Sequence, residues 1–390
     1  MARLGDYIEQ IRGVSYKPED VCASTDNDAI AILRANNIQD DGLNFDDLVY
    51  VNKSKISDKQ YIKKGDIIVC ASSGSKSLVG KAAIASENLP IAFGAFCKVV
   101  RPKKLIPRYI GYFFQSPKYR STISELSGGA NINNIRNEHI DELDIVIVSE
   151  KEQESIVNQL DALSKLIVLR KQQLSKLDEL IKSRFVELFG DPVVNPKSWE
   201  TAPLSALIIN ANNGMARRGK DADGSIVLRL VELQNGFIDY SAPNRICLNE
   251  TEKKRYELVD NDFLFARVNG NPDYVGRCAV FKSIDEPVFH NDHIIRVHFD
   301  EAKINGCFMS VLLNSDYGKR QMREQIKTSA GQYTISQDGI GAIIAILPPL
   351  ELQNQFAAFV EQTDKSKLAI QQSLEKLETL KKALMQQYFG

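Results

Sequence analysis

The sequence predicts an α+β fold in which two modules of mixed α/β structure are separated by two long helices. The helices form an antiparallel coiled coil, and the halves are related by an approximate twofold. Three observations predict this. The second half of the chain repeats landmarks of the first at an offset of 200 residues. Two long segments free of Gly and Pro carry a seven-residue apolar period. The stretches ahead of them break into short apolar runs between polar turns.

Self-similarity at a fixed long period marks a duplicated architecture. Gln153 matches Gln353 and Lys165 matches Lys365. Leu174, Lys176, Leu177, Leu180 and Lys182 match Leu374, Lys376, Leu377, Leu380 and Lys382, and Phe189-Gly190 matches Phe389-Gly390. Ahead of each helix Ile135 faces Ile335, and the starts agree through Leu4 with Leu204 and Ile8 with Ile208. The predicted order is a first module over 1–150, a helix over 151–190, a second module over 191–347 and a second helix over 348–390.

In the first helix Leu160, Leu163, Ile167, Leu174, Leu177, Ile181 and Leu188 form the seam; in the second it is Ile370, Leu374, Leu377 and Leu384. A sustained seven-residue period brings one narrow stripe to a partner helix along its length. Flanks rich in Lys, Gln and Glu favour mutual packing over burial in two separate modules. Gly190 followed by Pro192 stops the first helix, and Pro348-Pro349 marks the approach to the second. Each helix is roughly 50 Å long at about 1.5 Å per residue.

Within the modules, Asp66–Cys70 and Asp262–Ala266 read as strands after polar turns, with further strands at 82–85, 92–100, 277–281 and 294–299. Residues 107–115 and 304–314 read as short helices.

Composition narrows the function. Charged residues make up 25 % of the chain and the formal net charge is −1, so any nucleic-acid contact must come from local basic surface, not from the sum. There is no long uncharged apolar run for a membrane span and no apolar leader at the start, so a cytoplasmic protein is expected. Six scattered cysteines fit free thiols in a reducing compartment better than disulfides or a zinc site.

Catalytic motifs fail on detail. Gly74 to Ala82 has five residues where a phosphate loop has four, and ends in Ala82 where Ser or Thr is needed. Asn271-Pro272-Asp273-Tyr274 differs at its third position from the Asn-Pro-Pro-Tyr tetrad of adenine methyltransferases, and reads as a turn. His290, Asp292, His293 and His298 cluster without ligand-type spacing and read as a polar strand edge. No catalytic, metal or cofactor residue is expected in the chain.

Base edges are read by Arg, Lys, Asn, Gln, Ser and Thr on loops able to enter a groove. The first module offers Ser15, Tyr16 and Lys17, then Ser73, Ser75 and Lys76, then Asn131, Asn134 and Arg136. The second offers Arg217, Arg218 and Lys220, then Arg267, Asn269, Asn271 and Arg277, then Gln332, Tyr333 and Thr334. The plainer reading is solvated loops, but clustering at comparable places in both modules points to the sets. Lys and Arg would mainly hold phosphates while amides and some Arg specify bases.

These features together resemble the specificity subunit of type I restriction-modification systems, the HsdS family. The carriers are Pro348-Pro349-Leu350-Glu351-Leu352-Gln353, the heptad run from Ser373 to Leu384 and the closing Phe389-Gly390. The linker copy from Glu150-Lys151-Glu152-Gln153 to Phe189-Gly190-Asp191-Pro192 repeats them, with Val148-Ser149-Glu150 where the family usually has prolines. The resemblance covers essentially the whole chain. It implies two target recognition domains, each reading one half of a bipartite site in double-stranded DNA, and a helical spacer that sets the unspecified gap. It further implies two modification subunits that bind S-adenosylmethionine and methylate adenine, with motor-nuclease restriction subunits joining for cleavage; this chain itself would be non-catalytic. The competing reading is a coiled-coil adaptor that binds only proteins.

Overall fold

Both segments free of Gly and Pro form single helices, α1 (Glu150–Phe189) and α2 (Leu350–Phe389), in a computed structural model that describes residues 1–39, 42–126, 133–329 and 331–390. Packing divides the chain into two units, and each helix contributes to both. Unit one holds Met1–Gln173 with Ile370–Gly390; unit two holds Leu174–Ala369. In unit one Lys171 Nζ lies 3.4 Å from Glu378 and the Tyr388 hydroxyl donates to Gln159 at 2.9 Å. In unit two Lys367 Nζ lies 2.7 Å from Asp178, and the Phe185 ring sits 5.6 Å from Phe356. In each unit, as α1 is followed forward, its partners on α2 move backward, so the helices run antiparallel.

The predicted seam faces inward. Leu160, Leu163, Ile167, Ile181 and Leu374 are buried, while Leu174, Leu177, Leu188, Ile370, Leu377 and Leu384 are half-buried. The α2 stripe is thinner because Lys367 and Lys381 stand at the repeat positions of Ile167 and Ile181. Desolvation holds the Lys381 ammonium below its usual range. Ser149 and Glu152 form a capping box at the start of α1 (Ser149 N to Glu152 Oε2, 3.0 Å). Gly190 ends α1 at φ +80°, a conformation that other residues adopt only with strain.

Each unit is built on a four-stranded antiparallel sheet. In unit one its strands are β1 (Ile8–Arg12), β2 (Ile67–Cys70), β3 (Ala82–Ile84) and β4 (Cys97–Pro102), in the order β1-β4-β2-β3. In unit two they are β5 (Ile208–Asn213), β6 (Asp262–Ala266), β7 (Cys278–Val280) and β8 (Ile294–Phe299), in the order β5-β8-β6-β7. The runs Ile67–Cys70 of β2 and Phe263–Ala266 of β6 are continuously apolar because both faces of the strand are covered. Ile67 and Val69 pack with Tyr109 and Phe113 of the helix Pro107–Phe113, while Ile68 and Cys70 pack with Leu33 and Phe93. Phe263 and Phe265 pack with Phe308 of the helix Gly306–Asn314, while Leu264 and Ala266 pack with Ile226 and Ile294.

The repeated Phe-Gly endings acquire a physical reason. Phe389, ending α2, packs 5.1 Å from Tyr109 and 6.2 Å from Phe113 in unit one. Phe189, ending α1, packs 4.7 Å from Phe308 and 5.5 Å from Phe356 in unit two.

One strand expectation is corrected. Residues 92–100 are not one strand. Ala92–Phe93 pairs parallel with Ala29–Leu33, and β4 starts only at Cys97. Between them a turn closes through Cys97 N to Gly94 O at 2.8 Å. The other predicted strands and helices lie within two residues of the observed ones. No helix among the described residues is long and apolar enough to cross a membrane.

Candidate nucleic-acid interface

A ladder of backbone hydrogen bonds joins the candidate loops of unit one. Val14 N donates to Phe93 O at 2.7 Å, tying the loop after β1 to the turn at 94–96. Ala71 N and Ser72 N both donate to Phe96 O, at 2.8 and 3.1 Å, tying that turn to the end of β2. Ile135 N donates to Ala71 O at 2.8 Å, and the short strands Ser72–Ser73 and Asn133–Asn134 pair antiparallel, Ser72 opposite Asn134. The segments carrying Ser15, Tyr16 and Lys17, Ser73, Ser75 and Lys76, and Asn134 and Arg136 are thereby brought together. Ser15, Lys17, Ser75, Lys76, Asn134 and Arg136 are exposed, and Tyr16 and Ser73 are half-buried. Asn131 lies outside the described residues.

Unit two repeats the ladder with other side chains. Met215 N donates to His290 O at 3.1 Å, Arg267 N to His293 O at 2.8 Å, and Ile335 N to Arg267 O at 2.9 Å. Val268–Asn269 pairs with Gln332–Thr334, Val268 opposite Thr334 and Asn269 opposite Tyr333. By these bonds Phe93 corresponds to His290, Phe96 to His293, Ser73 to Asn269 and Asn134 to Thr334.

The frame depends on two glycines. A Cβ on Gly13 would lie 2.1 Å from Gly94 O, and one on Gly214 would lie 2.2 Å from Asn291 O. No side chain fits at either crossing.

Several cations of unit two already have partners. Arg218 Nη2 lies 2.7 Å from Asp292 and 3.2 Å from the His293 ring, Arg217 lies 3.3 Å from Glu252, and Arg267 donates to Asp292 O at 3.2 Å. The guanidinium of Arg277 sits 3.9 Å over the Tyr274 ring, and one of its amines lies 3.4 Å from Gln234. The Arg277 backbone oxygen accepts Ala266 N at 2.8 Å, whereas Arg267 N donates to His293 O. Asn269 and Asn271 accept backbone N–H groups two residues on, at 2.9 and 3.0 Å, so Asn271-Pro272-Asp273-Tyr274 is the expected turn. Lys220 is exposed, as is Gln332, while Tyr333 and Thr334 are half-buried. Lys76 and Lys220 are exposed and have no ion-pair partner among the described residues.

The histidine cluster needs a correction. His290, read as part of a polar edge, is fully buried, its Nδ1 3.2 Å from Tyr256 O. His298 turns to the buried carboxylate of Asp262 at 2.9 Å, with Arg296 at 3.5 Å. The matching carboxylate of unit one, Asp66, is held by two Arg101 bonds of 2.7 Å. These pairs fasten the start of β6 to β8 and of β2 to β4; they were not legible as partners from spacing. Among the described residues no group of His, Cys, Asp and Glu is placed to hold a metal ion. Burial pushes the Cys97 and Cys278 thiols up to about 12.

Two residues at the centre of the ladders stand outside the candidate sets: Phe96, which the sequence reading did not single out, and His293, which it read only as part of a polar edge. Gly94 inside the apparent strand was the available signal, since glycine within a strand run marks a bend.

Comparison with known proteins agrees with this architecture. Residues 1–179 match the family described as type I restriction modification DNA specificity domain. The chain is 37 % identical over 366 residues to the StySPI specificity subunit of Salmonella potsdam, covering 90 % of this chain and 79 % of that one. It is 32 % identical over 370 residues to the EcoKI specificity subunit of Escherichia coli K12, with the same coverages. The fold is similar to the type I restriction-modification S subunit of M. genitalium, with TM-score 0.58, 15 % identity, and coverage of 100 % of this chain and 95 % of that one. A chain from a study of complex assembly and conformational transition in a type I system gives TM-score 0.55 at 15 % identity, with coverages of 100 % and 96 %.

Proposed function

Because the chain belongs to the type I restriction enzyme specificity subunits, we propose that its two modules each read one half of a bipartite duplex site, with α1 and α2 setting the gap. The chain is a DNA sequence-specificity subunit, the non-catalytic, target-recognising member of such a system. Its partners are DNA together with modification and restriction subunits. In our reading two modification subunits dock on the chain in the cytoplasm and supply both S-adenosylmethionine and the methyl transfer.

One observation carries the bipartite reading. The same backbone ladder recurs in both units, with Ser73, Asn134 and Phe96 in one and Asn269, Thr334 and His293 in the other. A shared frame with unlike side chains suits two heads that meet the same helix geometry but different bases. A protein-only adaptor has no use for that pattern.

The test is sequencing of methylated adenines in a host carrying this chain and its modification subunit, together with duplex binding by the reconstituted complex across a salt series. We expect one split motif, and affinity that falls steeply with salt as phosphate contacts are screened. A continuous motif, or no sequence-dependent binding, refutes the reading.

A further inference from the structure

We propose that Phe96 is a specificity-determining residue of unit one, reading the 5-methyl group of a thymine in the major groove. This rests on the reading of the ladder as a DNA-facing surface.

Phe96 is 67 % exposed, although Phe93, three residues earlier, is fully buried. Leaving a phenyl ring in water forgoes the burial that draws apolar side chains inward. The backbone that presents the ring is held firmly. The Phe96 carbonyl accepts from both Ala71 and Ser72, and the turn is closed by Cys97 N to Gly94 O. The turn is also packed from below, where a Cβ on Gly94 would meet Ile32 at 3.5 Å and Tyr16 at 3.7 Å. The ring is therefore an exposed apolar feature on a fixed turn, flanked through the ladder by the segments of Ser15 to Lys17, Ser73 to Lys76 and Asn134 to Arg136.

Such a feature has one distinctive use on a duplex. Of the base edges in the major groove, thymine alone presents a methyl group, and an apolar side chain recognises it without a hydrogen bond. The corresponding residue of unit two supports a recognition role for the position. His293 offers a polar ring braced by Arg218 at 3.2 Å. The same backbone site thus carries an apolar reader in one unit and a hydrogen-bonding reader in the other, as unlike half-sites require.

The test uses the complete complex with its modification subunits, once methylation mapping has identified the half-site that depends on unit one. Each thymine there is replaced in turn by uracil, which deletes only the methyl group. For the wild-type complex one replacement should weaken binding about fourfold, the worth of one buried methyl group. With Phe96→Ala the thymine and uracil duplexes should bind equally, and Phe96→Leu should restore the preference. A half-site without thymine, a wild-type complex indifferent to every replacement, or a Phe96→Ala complex that keeps the preference overturns the proposal while leaving DNA recognition intact. Loss of all sequence-dependent binding by the wild-type complex instead overturns the reading on which it rests.

Discussion

The side-chain carbonyl of Gln153 accepts the backbone N–H of Ile106 at 3.0 Å, and its amide donates to Val148 O at 3.0 Å. Gln353 does the same work in unit two, accepting from Asn305 N at 2.9 Å and donating to Pro348 O at 2.8 Å and Lys303 O at 3.1 Å. Each glutamine stitches the first turn of a long helix to the chain ahead of it and to the segment leading into a module helix. Both are buried, so their partners cannot turn to water. Removing the amide strands buried backbone groups at about 1–3 kcal/mol. Gln353→Leu should therefore lower the stability of unit two, read from its urea transition, by that order, and more than Gln153→Leu lowers that of unit one, since Gln353 makes the additional bond. Equal midpoints for the variants and the wild type would show the bonds to be dispensable.

The two terminal phenylalanines should act on different units. Truncating a buried Phe costs about 3–5 kcal/mol through lost transfer energy and the cavity left behind. Phe189→Ala empties the cluster of Phe185, Phe308 and Phe356. The only tryptophan, Trp199, donates its indole N–H to Phe189 O at 2.9 Å and reports this unit. Its fluorescence transition should move to lower denaturant in Phe189→Ala and stay in place in Phe389→Ala. In the latter, amide exchange should accelerate across the helices Pro107–Phe113 and Pro117–Leu126 instead.

Gly13 and Gly214 separate the two reading heads genetically. With 2.1 and 2.2 Å available for a Cβ against backbone oxygen, neither loop can keep its course once a methyl group is added. Gly13→Ala should relax discrimination at the half-site read by unit one alone, and Gly214→Ala at the other alone. Binding competitions with single-base changes in each half-site decide this. A uniform loss at both half-sites for either variant would mean the ladders do not carry base recognition.

His290 makes unit two acid-sensitive. Its imidazole is fully buried, its Nε2 has no partner among the described residues, and burial lowers its pKa from 6.5 to about 4. The unfolded chain therefore binds the proton that the folded one refuses between those values. Its contribution to stability is complete above about pH 6.5 and is lost as pH falls toward 4, by up to about 3 kcal/mol. Phe93 fills the corresponding position of unit one with no titrating group. His290→Phe should flatten the decline of the Trp199 midpoint between pH 7 and 4; an unchanged slope would place the acid response elsewhere.

What could be read from the sequence, and what could not, follows from the range of the interactions. The helices and the strands β2 and β6 are written in local pattern: a seven-residue stripe, or an apolar run bounded by polar turns. The heptads even locate Ile167 and Ile181 in the seam. The turn that exposes Phe96 is different. Ala92 to Val100 is as apolar as a strand, and only pairing of Ala92–Phe93 with Ala29–Leu33, some 60 residues earlier, pulls the chain out of register at Gly94. His290 likewise looks polar beside Asp292 and His293, yet is buried, its backbone oxygen bonded to Met215 N and its Nδ1 3.2 Å from Tyr256 O, both from distant segments. The candidate loops were found as groups because residue type alone suggested them. Their common backbone frame was invisible, since it consists of hydrogen bonds between main-chain atoms that carry no sequence signature.

The helix pair offers the sharpest test of how gap length is set. Units one and two exchange ownership of the helices at Gln173/Leu174 and at Ala369/Ile370. Inserting four residues after Gln173 adds about one turn, roughly 5–6 Å, between one and two base-pair steps of about 3.4 Å. Four residues turn slightly more than a full revolution, a stutter that a coiled pair absorbs by local unwinding, so the stripe from Leu174 to Leu188 still meets its partner. The loops of both units lie outside the insertion and keep their side chains. Methylation mapping should then return the same two half-sites with one or two more unspecified base pairs between them. An altered half-site, or an unaltered gap, would mean that the helices hold the chain together without measuring the DNA.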